Sequence, residues 1–171
     1  MAIESIKARF PNANGALEYL HLDLGDLTTI KGSADEFLRK ERRLDVLWNN
    51  AGVMVPPQGS KTKQGYEMQL GTNCVGPFLF TRLLTPILLA TAKSAEPGTV
   101  RVVWVSSSMA EGIAPKGGVD MNNLDYKNDK TTWVKYATSK GGNILHAKEY
   151  ARRHHADGIL SVVREVYAYI C

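Results

Sequence analysis

The spacing in this chain that best suits chemistry is a tyrosine followed four residues later by a lysine, in Tyr136-Ala137-Thr138-Ser139-Lys140. Residues i and i+4 of a helix lie one above the other, so the phenol and the ammonium would share one face. An ammonium beside a phenol favours the phenolate, and exclusion of water strengthens the effect. Such a pair could exchange a proton with a bound oxygen, although the same spacing also describes a surface tyrosine beside a lysine.

Two further polar clusters follow apolar runs that are typical of strands. Asn49-Asn50-Ala51-Gly52 comes after the run 44–48, and Ser106-Ser107-Ser108 comes after the run 99–105. Ligand sites in open α/β sheets lie beyond the carboxyl ends of the strands. If the order of strands in the sheet follows the chain, the sequence predicts that both clusters and the tyrosine–lysine pair face one crevice.

Hydrophobic periodicity predicts the elements that would position these residues. The pattern favours helices over 2–10, 27–43, 66–92 and 133–155, and strands over Leu17–Leu24, Leu44–Trp48, Thr99–Val105 and Gly158–Val163. Asp26 is the expected N-cap of the second helix, and Pro77 and Pro86 should kink or interrupt the third. The alternation predicts a parallel α/β sheet of the doubly wound class, with a polar connection over 109–132 and a 99–105 strand covered on both faces.

Composition and charge narrow the classes of function. The 171 residues, 44% hydrophobic and 22% charged, suit one globular domain, and the wide spacing of Cys74 and Cys171 suits neither a disulfide framework nor a metal site. A cytoplasmic location is therefore expected. The net charge of +4 is concentrated at helix ends, 39–43 and 152–155, so we expect no nucleic-acid partner. The apolar stretch 74–92 contains a charge and two prolines, which favours a buried helix over a membrane span.

The three clusters, in this order along the chain, resemble the short-chain dehydrogenase/reductase family over about residues 5–163. The Val105-Ser-Ser-Ser ending, the long 109–132 connection and Lys140-Gly-Gly-Asn-Ile-Leu-His are most similar to the branch of retinol dehydrogenases and WW-domain oxidoreductase. The resemblance implies a Rossmann-like domain over 1–171 that binds NAD or NADP. It also implies an oxidoreductase that interconverts the hydroxyl and carbonyl of a small molecule by hydride transfer.

The resemblance further implies a role for each matching residue of the catalytic set. Tyr136 would donate and accept the proton, while Lys140 would favour its phenolate and hold the nicotinamide ribose. Ser107 would hydrogen-bond the substrate oxygen, with Ser106 and Ser108 as alternatives. Asn73 would support a proton-relay water, unless its amide is simply satisfied by a neighbouring backbone carbonyl.

Four other residues would contact the cofactor according to the same resemblance. Asp23 would hydrogen-bond the adenine, and Asn50, Ala51 and Gly52 would pack against the cofactor ribose. The alternatives are structural, since Asp23 could begin the turn at 24–26 and the Asn49–Asn50 pair could be an ordinary turn at the end of a strand.

The sequence departs from the family at both ends. Its 15 glycines include no Gly-x-Gly pair, although a dinucleotide needs a glycine-rich turn at its pyrophosphate. The resemblance places that turn before this chain, which would lack the first two strands and the C-terminal segment, and 164–171 matches nothing in the family. The strand 17–24 would then lie roughly 14 Å from the strand 44–48, leaving a slot or forcing the two to pair.

We therefore expect little activity from this chain alone. The alternative interpretation is a non-catalytic Rossmann-like remnant that acts through protein contacts, with a homodimer formed through the long helices.

Overall fold

The computed structural model describes residues 2–166. Its helices are α1 (Ala2–Arg9), α2 (Leu27–Lys40), α3 (Met68–Leu70), α4 (Gly76–Ala92), α5 (Met109–Ile113) and α6 (Thr132–His154), and a π-helical turn, Gly71–Val75, joins α3 to α4. Its strands are β1 (Val46–Asn49), β2 (Arg101–Ser107) and β3 (Leu160–Val166).

The three strands form one parallel sheet in the order β1-β2-β3, which confirms the predicted α/β class. Asn49 and Trp104 are paired across β1 and β2, so their side chains leave the same face. The Asn49 amide donates to Thr81 of α4, whereas the Trp104 ring packs against His146 of α6. Both long helices therefore cover one face of the sheet.

The opposite face of the sheet is open along its two edge strands, β1 and β3. Val46, Trp48 and Val162 remain 39%, 59% and 39% exposed, beside an open depression of about 490 Å³. The connections from β1 to β2 and from β2 to β3 move in the same direction across the sheet. Because such connections share one handedness, their helices α4 and α6 lie on the same side of the sheet. The long helices therefore leave this side open within residues 2–166, unlike those of a doubly wound sheet. The strand β2 is nevertheless buried on both faces, as predicted, since Val103 and Val105 on the open side are 4% and 5% exposed.

The predicted strand Leu17–Leu24 is also wrong, because this stretch contains no strand and only Leu24 is buried. A strand needs a hydrogen-bonding neighbour within about 4.8 Å. Instead, a cavity of about 280 Å³ is lined by Glu18, Tyr19 and Leu20 together with residues of the β1 side, including Val46. Of the two expected outcomes, the slot is present and the direct pairing is not.

The predicted helix 66–92 is helical without a break from Met68 to Ala92, through the π-helical turn, so Pro77 at the start of α4 and Pro86 inside it do not interrupt it. The run Met68–Ala92 is long and apolar enough to cross a membrane, yet half of its most apolar window is buried. Leu84 and Leu88 lie in the hydrophobic core, as core helices of this composition do. This packing fits the predicted buried helix.

Most other elements differ from the prediction only at their ends. Asp26 caps α2 by accepting from the Thr28 amide at 3.0 Å, as predicted, and α5 occupies part of the 109–132 connection. The strands β2 and β3 run further than expected because Ser107 continues their pairing with Val166. Residues 164–166 of the predicted tail are thus strand, and 167–171, with Cys171, lie outside the described residues.

Candidate active site

The tyrosine–lysine pair lies in the first half of α6, on a face turned towards the sheet. Tyr136 is 7% exposed and Lys140 is 6% exposed. The Lys140 ammonium lies 5.7 Å from the centre of the Tyr136 ring. The two groups share one face, as their spacing predicts, and they are shielded from water.

The end of β2 holds this part of α6 through three hydrogen bonds. The Lys140 Nζ and the Asn143 Nδ2 both donate to the Val105 carbonyl, at 3.0 and 2.9 Å. The Ser106 hydroxyl donates to the Lys140 carbonyl at 3.0 Å. An ammonium has three N–H donors, and the described residues accept only one of those on Lys140, so two remain for a ligand. Burial lowers the pKa of Lys140 because the charged form loses its hydration.

The three serines differ in what their hydroxyls do. The Ser106 proton is committed to Lys140, while the Ser107 oxygen, 1% exposed, accepts from the Met109 amide at 3.3 Å. Ser108 precedes α5 and makes no side-chain cap bond. Within residues 2–166, Ser107 is therefore the buried serine whose hydroxyl proton has no acceptor, although its catalytic role stays a prediction.

Asn73 lies in the π-helical turn and is 1% exposed. Its Oδ1 accepts from the Val53 amide at 2.7 Å, and its Nδ2 donates to the Val53 carbonyl at 2.9 Å and to the Ser139 hydroxyl at 3.0 Å. Ser139 in turn donates to the Tyr136 carbonyl at 2.7 Å. The amide thus ties the loop after β1 to the turn of α6 that carries Tyr136, and its role in a proton relay stays a prediction.

The predicted cofactor loop, 50–52, is exposed at the carboxyl end of β1. A Cβ on Gly52 would lie 2.6 Å from the Asn73 Oδ1, so only glycine lets the loop approach that amide. Asp23 is exposed, and its carboxylate accepts from the Gly25 amide at 2.8 Å, as the turn alternative expects. The following Leu24 carbonyl approaches Gly76 at the start of α4, which leaves Asp23 near the same end of the sheet.

The sequence interpretation did not find two buried polar residues beside this site. Gln69 accepts from the Val55 amide at 2.9 Å and donates to the Thr132 carbonyl at 2.8 Å. Lys135, next to Tyr136, is buried and pairs with Asp129 at 2.6 Å. Two amides four residues apart in an otherwise apolar stretch were the available signal for Gln69. The sequence carried no such signal for Lys135, because its partner Asp129 lies in the irregular part of the 109–132 connection.

Buried Cys74 and half-buried His146 form a pair, with Sγ and Nε2 3.2 Å apart. Burial raises the pKa of the Cys74 thiol to about 12 and lowers the pKa of His146. Both groups are therefore neutral near pH 7, and the thiol is not an activated nucleophile.

Comparison with known proteins gives sequence relatives and structural neighbours. Residues 2–119 match the profile of the family described as short chain dehydrogenase. The short-chain dehydrogenase/reductase pkfC of Emericella nidulans is 59% identical over 156 residues, which are 91% of this chain and 50% of that protein. A short-chain dehydrogenase/reductase of Phomopsis amygdali is 56% identical over 163 residues, 94% of this chain and 48% of that protein. The chain thus spans about half the length of these curated relatives.

Two solved structures show the same fold. A crystal structure of an uncharacterized protein from Mycobacterium paratuberculosis has a TM-score of 0.72 and 30% identity, covering 95% of this chain and 55% of that one. The NADPH-bound carbonyl reductase from chicken fatty liver has a TM-score of 0.65 and 20% identity, and the match covers 95% of this chain and 60% of that one. At 20% identity the likeness shows the fold alone.

Proposed function

The chain belongs to the short-chain dehydrogenase/reductase family. We therefore propose that it acts as an NAD(P)-dependent oxidoreductase that interconverts a hydroxyl and a carbonyl by hydride transfer. The observation that carries the proposal is the buried pair of Tyr136 and Lys140, tied by Val105 to the strand end that bears Ser107. Acid–base residues that share a water-poor site at the carboxyl end of a strand suit this reaction.

The described residues fit one end of a nicotinamide dinucleotide, either NADP or NAD. Lys140 has two N–H donors to offer a ribose, and 50–52 is an exposed loop at the same end of the sheet. The chain has no Gly-x-Gly pair to approach the pyrophosphate, so we expect weak binding. When bound, the nicotinamide ring gives or takes the hydride.

The protein residues would manage the proton and the substrate oxygen. Ser107, whose hydroxyl proton is uncommitted among residues 2–166, would donate to the substrate carbonyl oxygen. Tyr136 would pass a proton to that oxygen during reduction and remove it during oxidation. Lys140, with its ammonium 5.7 Å from the centre of the Tyr136 ring, would place a positive charge beside the phenol and orient the ribose. Asn73 would keep the 50–52 loop in register with α6, beside any part in a proton relay.

The test compares Tyr136→Phe with Tyr19→Phe in this chain, using NADPH and NADH and a panel of aldehydes and alcohols. Tyr19 is a suitable control because its ring is exposed and its hydroxyl bonds only His21 within the described residues. We expect Tyr136→Phe to lower turnover by about 10²- to 10⁴-fold, as loss of a general acid does, with Tyr19→Phe unchanged.

Cofactor binding is measured separately, by energy transfer from tryptophan to the reduced nicotinamide ring. Equal turnover in the two variants contradicts the proposal. Absence of energy transfer at millimolar cofactor contradicts it too, and favours the non-catalytic remnant that acts through protein contacts.

The branch of the family, the oligomeric state and the cellular location are also proposed. The Val105-Ser-Ser-Ser and Lys140-Gly-Gly-Asn segments support the branch of retinol dehydrogenases and WW-domain oxidoreductase. Exposed Phe78 on α4 and Leu145 on α6 support a homodimer through the long helices, which sedimentation would test. The low cysteine content supports a cytoplasmic location.

A further inference from the structure

Gln69 is a buried polar residue near the candidate site to which the proposed chemistry gives no task. Its side chain is 0% exposed. Its Oε1 accepts from the Val55 amide at 2.9 Å, and its Nε2 donates to the Thr132 carbonyl at 2.8 Å. An amide wholly removed from water is costly unless both of its halves are bonded, so these two contacts explain why it is tolerated there.

The first contact holds a backbone conformation that would otherwise be unfavourable. Val55 has a φ of +50°, in the left-handed region that a β-branched residue rarely enters. Such a residue persists only where its surroundings fix it. The Gln69 oxygen supplies one such restraint, because it binds the Val55 N–H directly.

The second contact reaches the first turn of α6. In an α-helix the carbonyl of residue i accepts from the N–H of residue i+4, so the Thr132 carbonyl is the helical acceptor for Tyr136. Gln69 donates to that same carbonyl oxygen. The amide is therefore one hydrogen bond away from the backbone of the tyrosine.

Gln69 and Asn73 make parallel connections between the same two parts of the protein. Asn73 joins Val53 to Ser139, and Gln69 joins Val55 to Thr132. Each amide starts from the loop that follows β1 and ends on α6, on either side of Tyr136 in sequence. Two such connections restrain both the separation and the rotation of the loop relative to the helix, which a single connection would not do.

We propose that Gln69 is a positioning residue that, through Val55 and Thr132, fixes the loop after β1 against the turn of α6 carrying Tyr136. Its effect on turnover rests on the proposed function. The connection itself does not, and it is measured without any cofactor.

The experiment uses Gln69→Met, which keeps the length of the side chain and removes both hydrogen bonds. Gln69→Glu keeps the acceptor for the Val55 amide and loses the donor to Thr132. Leu84→Ala, in the core and away from the loop, controls for general destabilisation. Amide hydrogen exchange is read by NMR at Val53 and Val55.

In Gln69→Met we expect exchange at Val55 to rise about tenfold, the equivalent of one lost hydrogen bond, with Val53 still held by Asn73 and changed by no more than about twofold. In Gln69→Glu protection at Val55 should be retained. Leu84→Ala should raise the exchange rates of the Val53 and Val55 amides by the same factor. Equal changes at Val53 and Val55 in Gln69→Met would show that Gln69 only fills space, and would overturn the proposal.

Turnover supplies the second readout, and it separates this inference from the proposed function. A mispositioned tyrosine lowers kcat while the KM for the cofactor stays the same, so we expect a fall in kcat for Gln69→Met that Gln69→Glu partly restores. A fall in kcat equal to that of a Leu84→Ala variant of the same stability counts against positioning. If the wild-type chain shows neither turnover nor energy transfer to NADPH or NADH, the proposed function fails, and the exchange pattern alone decides whether the connection exists.

Discussion

Replacement of Asn73 by alanine should destabilise the protein more than any exposed amide substitution. The side chain is 1% exposed and makes three hydrogen bonds, to the Val53 amide, the Val53 carbonyl and the Ser139 hydroxyl. Alanine removes all three and leaves the part-buried Val53 N–H without its acceptor. The perturbation is therefore confined to one well-defined contact between the loop after β1 and α6.

The magnitude follows from those bonds. Each hydrogen bond contributes about 1 kcal/mol net, and a buried donor left without a partner costs about 1–3 kcal/mol. Water can reach Val53 in part, so we expect a loss of about 3 kcal/mol in the free energy of unfolding. For a domain of this size that corresponds to roughly 6–12 °C in Tm.

The assay is urea unfolding followed by tryptophan fluorescence and far-ultraviolet circular dichroism. Asn122→Ala is the matched control, because Asn122 is exposed and its side chain makes no hydrogen bond within residues 2–166; we expect it to change stability by less than about 0.5 kcal/mol. Gly52→Ala is the independent check, since its Cβ would lie 2.6 Å from the Asn73 Oδ1 and push the amide away. A loss below about 1 kcal/mol in Asn73→Ala would refute the reasoning, since one bond alone is worth that much.

Two other substitutions test the contact between β2 and α6. Burial lowers the pKa of Lys140 in the folded chain below its ordinary value of 10.5. At a pH between the folded and the ordinary pKa, the unfolded chain still binds the proton that the folded chain has released. Stability from this group therefore rises with pH across that window, and the unfolding free energy of the wild type minus that of Lys140→Met should rise there; a difference that stays flat or falls contradicts it. Ser106→Ala loses the bond to the Lys140 carbonyl and should cost about 1 kcal/mol in urea unfolding, whereas Ser108→Ala should cost less than about 0.5 kcal/mol; equal losses would show that the bond contributes nothing.

The parts of the fold that the sequence predicts correctly depend on contacts close along the chain. The apolar spacing of α6 places Tyr136 and Lys140 on one face, and one helical turn is enough to bring them together. The apolar run that became β2 likewise needed only its own composition, and Asp26 needed only Thr28, two residues away. Short-range physics settles these features, so a single sequence shows them.

The parts that the sequence predicts wrongly depend on partners far along the chain. The alternation of Leu17–Leu24 is that of a strand, but no described strand pairs with it, and the segment stays irregular. The partners of Gln69 could not be assigned, because they are 14 and 63 residues away. The final residues of β2 and β3 were missed for the same reason, since each is strand only because the other is present.

The π-helical turn also limits how this part of the gene product can change in length. The Gly76 amide bonds the Gly71 carbonyl five residues back, so the turn holds one residue more than an α-helix would. Deletion of one residue within 71–75 would let the segment close as ordinary α-helix and leave the faces of α4 nearly in place, so Leu84 and Leu88 would stay in the core. It would, however, remove or shift the buried Asn73 amide that joins Val53 to Ser139. We expect natural variants to keep the residue count of this segment constant, while the exposed turn at 11–15 gains and loses residues freely.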